Sequence, residues 1–334
     1  MRIAVCSPVA LDEMLTLLAG VRGIEAWPCA VADLAAATRE ADAIVLGSFH
    51  YGPQLAAALA APEARTRWLQ LLTAGYETLD QHGLPGRCKV SNAGDVWSPS
   101  VAEHVFTLIL GLARRARQCA ADQQAGRWKA TVRQQVRSLA GARMLIVGMG
   151  SIGRETAMRA RAFGMSVAGV NRTGRPVAEA DVIYPAGRLG EALAEADVIV
   201  VAAPSTPGTR GMIGREQLAL CKPEALLINV ARGDLVDSGA LLEALRAGRI
   251  GGAGLDVTDP EPLPHGHPLW DEPDVIITPH LGGAASPRYM SRLARHVADN
   301  AARFAAGETP RHLVQIQAGA FSGEAEAASR LAGA

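Results

Sequence analysis

The apolar run at residues 144–147 leads without a break into Gly148-Met149-Gly150-Ser151-Ile152-Gly153, and a helical pattern follows over residues 154–163. A G-x-G-x-x-G set between a strand and a helix restricts the local fold to a turn that brings backbone against a phosphate group. Gly148 allows the tight turn, Gly150 lets the backbone approach a pyrophosphate with no Cβ in the way, and Gly153 lets helix pack closely on strand. The N–H groups that open the helix, at Ser151 and Ile152, then meet the phosphates. A glycine-rich turn without a ligand is the bland alternative; the strand before and the helix after argue against it. The expectation is a dinucleotide-binding α/β unit.

The rest of the chain fits two such units. At 334 residues it exceeds the usual size of one hydrophobic core. Strand-like runs at 2–6, 43–46 and 68–71 alternate with amphipathic stretches at 11–18 and 54–59. A single helix is expected over 98–118, opened by Ser98 as N-cap and Pro99 in the first turn. After it come strands at 144–147, 166–170, 198–202, 225–229, 252–255 and 275–277, apolar on both faces as in a parallel sheet covered on each side. A helix at 287–306 would return the chain to the first domain. The predicted class is therefore α/β, with two Rossmann-like or flavodoxin-like parallel-sheet domains. The cofactor domain, 99–284, is inserted into a substrate domain made of 1–98 and 285–334. From Gln315 the chain is rich in Ala, Gly and Glu, and partial disorder or a docked helix is expected there.

Composition removes several function classes. Thirty-three basic and 33 acidic residues leave no net field to recruit nucleic acid or a membrane, so an anionic ligand has to be held locally. Cys6, Cys29, Cys88, Cys119 and Cys221 are scattered without metal-ligand spacing, which reads as reduced thiols and no metal. Asp12 and Glu13 interrupt the apolar stretch a signal peptide needs, and the apolar run at 105–113 is too short to span a bilayer. A cytoplasmic protein is expected.

Cofactor choice is read at the end of the strand after the glycine motif, where NAD sites place an acid on the ribose hydroxyls. Here the strand ends Asn171-Arg172-Thr173-Gly174-Arg175, with no acid. Asn171, Arg172 and Thr173 can donate to a 2′-phosphate, Arg172 through a bidentate guanidinium, so NADP(H) is preferred and NAD(H) remains possible. The alternatives are a solvated loop, or Arg172 stacked on the adenine.

Three further segments close consecutive predicted strands, where open α/β sheets bind ligands. They are Asn229-Val230-Ala231-Arg232-Gly233, the stretch from Gly254 to Pro262 containing Asp256 and Glu261, and Thr278-Pro279-His280. The order N-x-x-R-G, G-x-D-V-x-x-x-E-P, T-P-H resembles the D-2-hydroxyacid dehydrogenase family, densest over 141–283. The resemblance implies a catalytic set of Arg232, Glu261 and His280. Reducing a 2-oxo acid needs a hydride at the carbonyl carbon and a proton at its oxygen, which suits His280 as general acid. Glu261 on the far ring nitrogen would fix the tautomer and favour the charged form, and Arg232 would polarise the carbonyl and orient the carboxylate. Singly, each is more often a loop charge or a surface residue; together, beside a dinucleotide site, they point to chemistry.

Other implications of the resemblance are looser. Ala74 and Gly75, in the turn after residues 68–71, would donate backbone N–H groups to the substrate carboxylate. Pro204 would lie beside the adenosine, Val230 and Ala231 along the cofactor, and Asp256 would accept from the nicotinamide carboxamide. Glu103 and His104 read as helix-surface charge or as a pair near a hinge. A homodimer through the inserted domain, with Gly126-Arg127-Trp128 in a contact arm, and glyoxylate or hydroxypyruvate as the 2-oxo acid are also implied. Two alternatives stay open: a phosphite-type or other dehydrogenase on the same scaffold, and a nucleotide-sensing binding protein resembling corepressors that kept the fold.

Overall fold

The computed structural model describes residues 1–284 and 287–315, so the expectation for the Ala- and Gly-rich stretch past Gln315 falls outside the described residues. The chain separates into two compact units, Met1–Trp97 with Ala285–Ala334, and Ser98–Ala284.

The first unit is built on five parallel strands, β1 (Arg2–Cys6), β2 (Glu25–Pro28), β3 (Ala43–Leu46), β4 (Trp68–Leu71) and β5 (Lys89–Ser91), in the order β2-β1-β3-β4-β5. Successive side chains point to opposite faces, and both faces are covered. Ala4, Ile44, Leu46, Leu69 and Leu71 pack with Leu55, Ala56 and Leu59 of the Pro53–Ala60 helix. On the other face Ile3, Val5, Val45 and Trp68 meet Met14 and Leu18 of the Leu11–Ala19 helix, together with Leu293, Ala294, Val297 and Ala301 of the Pro287–Ala305 helix. The last helix thus belongs to the first unit's core.

The second unit carries seven parallel strands: β6 (Arg143–Val147), β7 (Ser166–Asn171), β8 (Val182–Pro185), β9 (Val198–Val201), β10 (Leu226–Asn229), β11 (Gly252–Leu255) and β12 (Val275–Ile277). Their order is β12-β11-β10-β9-β6-β7-β8. The chain winds outward from β6 first through β7 and β8, then from β9 in the other direction. The reversal leaves the carboxyl ends of β6 and β9 flanking a crevice, the usual ligand position in such sheets.

Two expectations need correcting. β2, β5 and β8 are not visible as apolar runs, and each is an edge strand, where Pro28, Pro185, Glu25 and Lys89 are tolerated because one side of the ladder is unpaired. The single helix over 98–118 is two helices, Ser98–Ala113 and Ala116–Gln124, broken at Arg115 with a left-handed φ of 56°. Arg115 pairs with Asp274, and Arg117 donates to the carbonyls of Trp270, Glu272 and Val275. These tertiary bonds turn the chain where no glycine or proline announces a break.

Candidate active site

The glycine motif forms a cradle that fits a dinucleotide. Gly148 has φ 106°, and a Cβ there would lie 2.6 Å from the Ala202–Ala203 backbone. A Cβ on Gly153 would lie 2.2 Å from the Gly148 carbonyl, so only glycine lets the helix approach the strand this closely. At Gly150 a Cβ would meet nothing within 4 Å, which leaves its backbone face open. Gly150 is also the N-cap of the Ser151–Ala162 helix, with no side-chain cap. The opening N–H groups, those of exposed Ser151 and half-buried Ile152 among them, are thus suited to a pyrophosphate.

At the end of β7, Asn171 bonds within its own loop. Asn171 Nδ2 donates to the Arg175 carbonyl at 2.8 Å, and its Oδ1 accepts from the N–H groups of Thr173 at 3.1 Å and Gly174 at 2.7 Å. These bonds shape the loop, and Arg172 and Thr173 are presented on its exposed tip. Pro204 lies in an exposed loop after β9, where the Thr209 hydroxyl donates to its carbonyl at 2.7 Å. Val230 and Ala231 are buried just past β10.

The three catalytic candidates follow β10, β11 and β12. Asn229 is 1% exposed; its Nδ2 donates to the Arg232 carbonyl at 2.8 Å and its Oδ1 accepts from Ala231 N at 3.1 Å, closing the turn that presents Arg232. A Cβ on Gly233 would sit 2.0 Å from the Thr258 carbonyl, so the Arg232 turn rests directly on the segment leading to Glu261. Glu261 Oε1 lies 2.7 Å from His280 Nδ1. His280 itself has a left-handed φ of 54°.

Asp256 is tied into the protein on several sides. It is 2% exposed, and its carboxylate accepts from Thr278 Oγ1 at 2.7 Å, Leu281 N at 2.7 Å, Gly282 N at 2.8 Å and His104 Nε2 at 3.1 Å. Burial pushes this carboxyl up, but the hydrogen bonds from His104, Thr278, Gly282 and Leu281 outweigh it and hold it at about 2. Asp256 thus braces the loop carrying His280. His104, read as helix-surface charge, is turned inward. Its spacing held the signal, because position 104 falls on the helix face of buried Val101 and Leu108. Asn229, Gly233 and Thr278 lie in the same motifs and act as their supports, a role that spacing alone does not reveal.

In the first unit, Thr73 Oγ1 donates to the Gly75 carbonyl at 2.9 Å and Asn92 Nδ2 to the Ala74 carbonyl at 2.7 Å. Since the C=O of a trans peptide points opposite to the following N–H, these bonds fix where the Gly75 and Tyr76 N–H groups aim.

Among the described residues no cluster of three or more His, Cys, Asp or Glu is arranged to hold a metal ion, and no helix is long and apolar enough to cross a membrane. A family model described as D-isomer specific 2-hydroxyacid dehydrogenase, NAD binding domain, matches residues 106–282. The chain belongs to the D-isomer specific 2-hydroxyacid dehydrogenase family. A glyoxylate reductase of Thermococcus gammatolerans is 36% identical over 260 residues, 75% of this chain and 76% of the relative. A glyoxylate/hydroxypyruvate reductase B of Pectobacterium carotovorum is 38% identical over 259 residues, 76% of this chain and 80% of the relative. Among solved structures, the NADPH-dependent glyoxylate/hydroxypyruvate reductase of Sinorhizobium meliloti, in complex with NADP and sulfate, superposes with a TM-score of 0.78 at 28% identity, covering 95% of this chain and 99% of that one. As a D-2-hydroxyacid dehydrogenase the protein is an oxidoreductase that uses a nicotinamide cofactor.

Proposed function

We propose that the protein reduces a small 2-oxo acid of the glyoxylate or hydroxypyruvate type to the D-2-hydroxy acid, with NADPH preferred over NADH. The observation that carries the reading is the 2.7 Å contact between His280 Nδ1 and Glu261 Oε1. A carboxylate can only accept, so Nδ1 carries a hydrogen and Nε2, on the opposite side of the ring, is the nitrogen left to face substrate. When bound, the reduced nicotinamide supplies the hydride that the carbonyl carbon takes up. His280 Nε2 delivers the proton to the carbonyl oxygen and leaves as neutral imidazole, which completes the alcohol. Arg232 carries the fixed positive charge that orients the substrate carboxylate and polarises the carbonyl.

Arg172 and Thr173 are assigned to the 2′-phosphate; the absence of an acid in residues 171–175 supports this, as does the NADP bound to the Sinorhizobium relative. A cell keeps NADP largely reduced, so the reductive direction follows from the same choice; a cytoplasmic site is part of the proposal. A homodimer is part of the reading, and Trp128, 96% exposed in the single chain, is its best marker. The test follows the absorbance of NADPH and NADH with glyoxylate, hydroxypyruvate, pyruvate and phenylpyruvate, with phosphite offered in the oxidative direction. Turnover of glyoxylate and hydroxypyruvate with NADPH is expected. Tight cofactor binding with no turnover of any acid would overturn the reading in favour of a nucleotide-sensing protein, and phosphite oxidation would replace the substrate class.

A further inference from the structure

We infer that His104 is a positioning residue for the reaction: by donating to Asp256 and Thr278 together, it sets the conformation of the loop that carries His280. The inference rests on the assignment of His280 as the proton donor and adds a residue outside that machinery.

The geometry converges on one carboxylate. The N–H of His280 donates to the main-chain carbonyl of Asp256 at 2.9 Å, and the next two N–H groups, of Leu281 and Gly282, go to the Asp256 side chain. Three successive N–H groups therefore end on one residue. That is how the backbone at His280 is kept at φ 54°, a conformation a histidine adopts only when its surroundings dictate it. The loop is shaped by Asp256, and Asp256 in turn needs something to hold its own carboxylate in place.

His104 supplies that hold from the Ser98–Ala113 helix, with its side chain 13% exposed. Its Nε2 lies 2.8 Å from Thr278 Oγ1 and 3.1 Å from Asp256 Oδ1. The hydroxyl hydrogen of Thr278 is already directed to Asp256 Oδ1 at 2.7 Å, so toward His104 the Thr278 oxygen acts as acceptor, and a carboxylate accepts as well. Nε2 must carry a hydrogen whatever the charge on the ring. One N–H thus ties the segment after β11 to the segment after β12, which are the two segments that bring Glu261 and His280 together. Without it, the Thr278 hydroxyl is free to turn, the buried carboxylate loses a donor, and the His280 loop loses its brace. Misplacement of a reacting group by about 1 Å is enough to cost on the order of 100-fold in rate.

The experiment compares His104→Leu, His104→Gln and His280→Ala in steady-state reduction of glyoxylate, with NADPH binding followed by fluorescence titration. In His104→Leu, kcat is expected to fall roughly 10- to 100-fold. KM for glyoxylate and Kd for NADPH should stay within about threefold of the parent, because His104 is assigned to bracing Asp256 and Thr278 and to neither ligand. Gln, whose amide nitrogen reaches about as far as Nε2, should restore most of kcat. Thr278→Val removes the shared hydroxyl and serves as the second variant if His104→Leu does not fold; it should show the same fall in kcat at unchanged NADPH affinity. Wild-type kcat in His104→Leu, or in Thr278→Val, alongside a dead His280→Ala overturns this inference alone. An active His280→Ala overturns the proton-donor assignment instead. A loss of kcat that Gln does not restore, or that comes with equal loss of NADPH binding, assigns His104 to general stability and also overturns the inference.

Discussion

Glu261 Oε1 and His280 Nδ1 meet at 2.7 Å although they stand 19 positions apart and follow different strands. Both side chains are nearly half exposed, 43% and 48%, so water screens the pair and it adds little to stability. Its value is orientation: the imidazole is held by one nitrogen and offers the other.

Replacing either partner separates these roles. His280→Ala should lower the reduction rate by about 100- to 10,000-fold, the usual worth of a general acid, with NADPH affinity nearly unchanged. Glu261→Gln keeps a hydrogen-bonding group but removes the charge, and an intermediate loss is expected. Thermal unfolding of both variants should match the parent. An undiminished rate in His280→Ala would remove it from proton transfer.

Arg172→Ala tests the cofactor assignment. Losing a charged hydrogen bond to phosphate costs about 2 kcal/mol, or some 30-fold in NADPH affinity, whereas NADH has nothing at that position to lose. Thr173→Ala should act in the same direction with a smaller effect. Isothermal titration with both cofactors reads the ratio directly, and equal weakening for NADPH and NADH would sink the 2′-phosphate role. Asn171→Ala is different in kind, because its amide closes the loop through Arg175, Thr173 and Gly174; it should weaken both cofactors by disordering the tip.

The contrast between Arg172 and Asn171 marks where the sequence stops being informative. Central strands such as β3, β6 and β9 are legible because burial on both faces demands an unbroken apolar run, and the glycine motif because its turn admits few other residues. Edge strands carry no such demand. The motifs around Glu261 and His280 name two residues that meet, but which polar atoms bond internally depends on three-dimensional pairing. Asn171 and Asp256, expected as ligand contacts, also bond within the protein, which no motif announces. His104 was hidden for the opposite reason: a charged-type residue on a helix defaults to solvent, and its partners Asp256 and Thr278 lie more than 150 positions away.

Two glycines should respond in opposite ways. Gly233→Ala would place a methyl 2.0 Å from the Thr258 carbonyl, and a backbone segment, not a side-chain tip, would have to move. Overpacking of this kind costs about 1–3 kcal/mol, and the shift falls on the segment leading to Glu261, so melting temperature and rate should drop together. Gly150→Ala meets nothing within 4 Å, so the fold should be unaffected while NADPH binding weakens from the methyl facing the pyrophosphate. Calorimetry with and without NADPH separates the two cases; a destabilised Gly150→Ala apoprotein would refute the open-face reading.

Asp256 gives the protein a defined acid sensitivity. Its carboxyl is at about 2 in the fold against an ordinary 3.8, so ionised Asp256 favours the folded state. A depressed folded value means the contribution is complete above about pH 5, starts to fade as the unfolded chain takes up protons near 4, and is gone once the pH passes below 2. The size is about 2 kcal/mol at neutral pH, and burial at 2% exposure means solvent screening does not reduce it much. Other carboxylates with lowered values, Asp197 among them, contribute to acid unfolding in parallel, so the test is a difference. Asp256→Asn presents an amide to the Leu281 and Gly282 N–H groups and is destabilising at every pH, but it does not titrate. Urea denaturation of wild type and Asp256→Asn from pH 7 to pH 3 should show the gap between them narrowing as the pH falls. A gap that stays constant over that range would mean that the hydrogen bonds from His104, Thr278, Leu281 and Gly282 do not favour the ionised carboxylate.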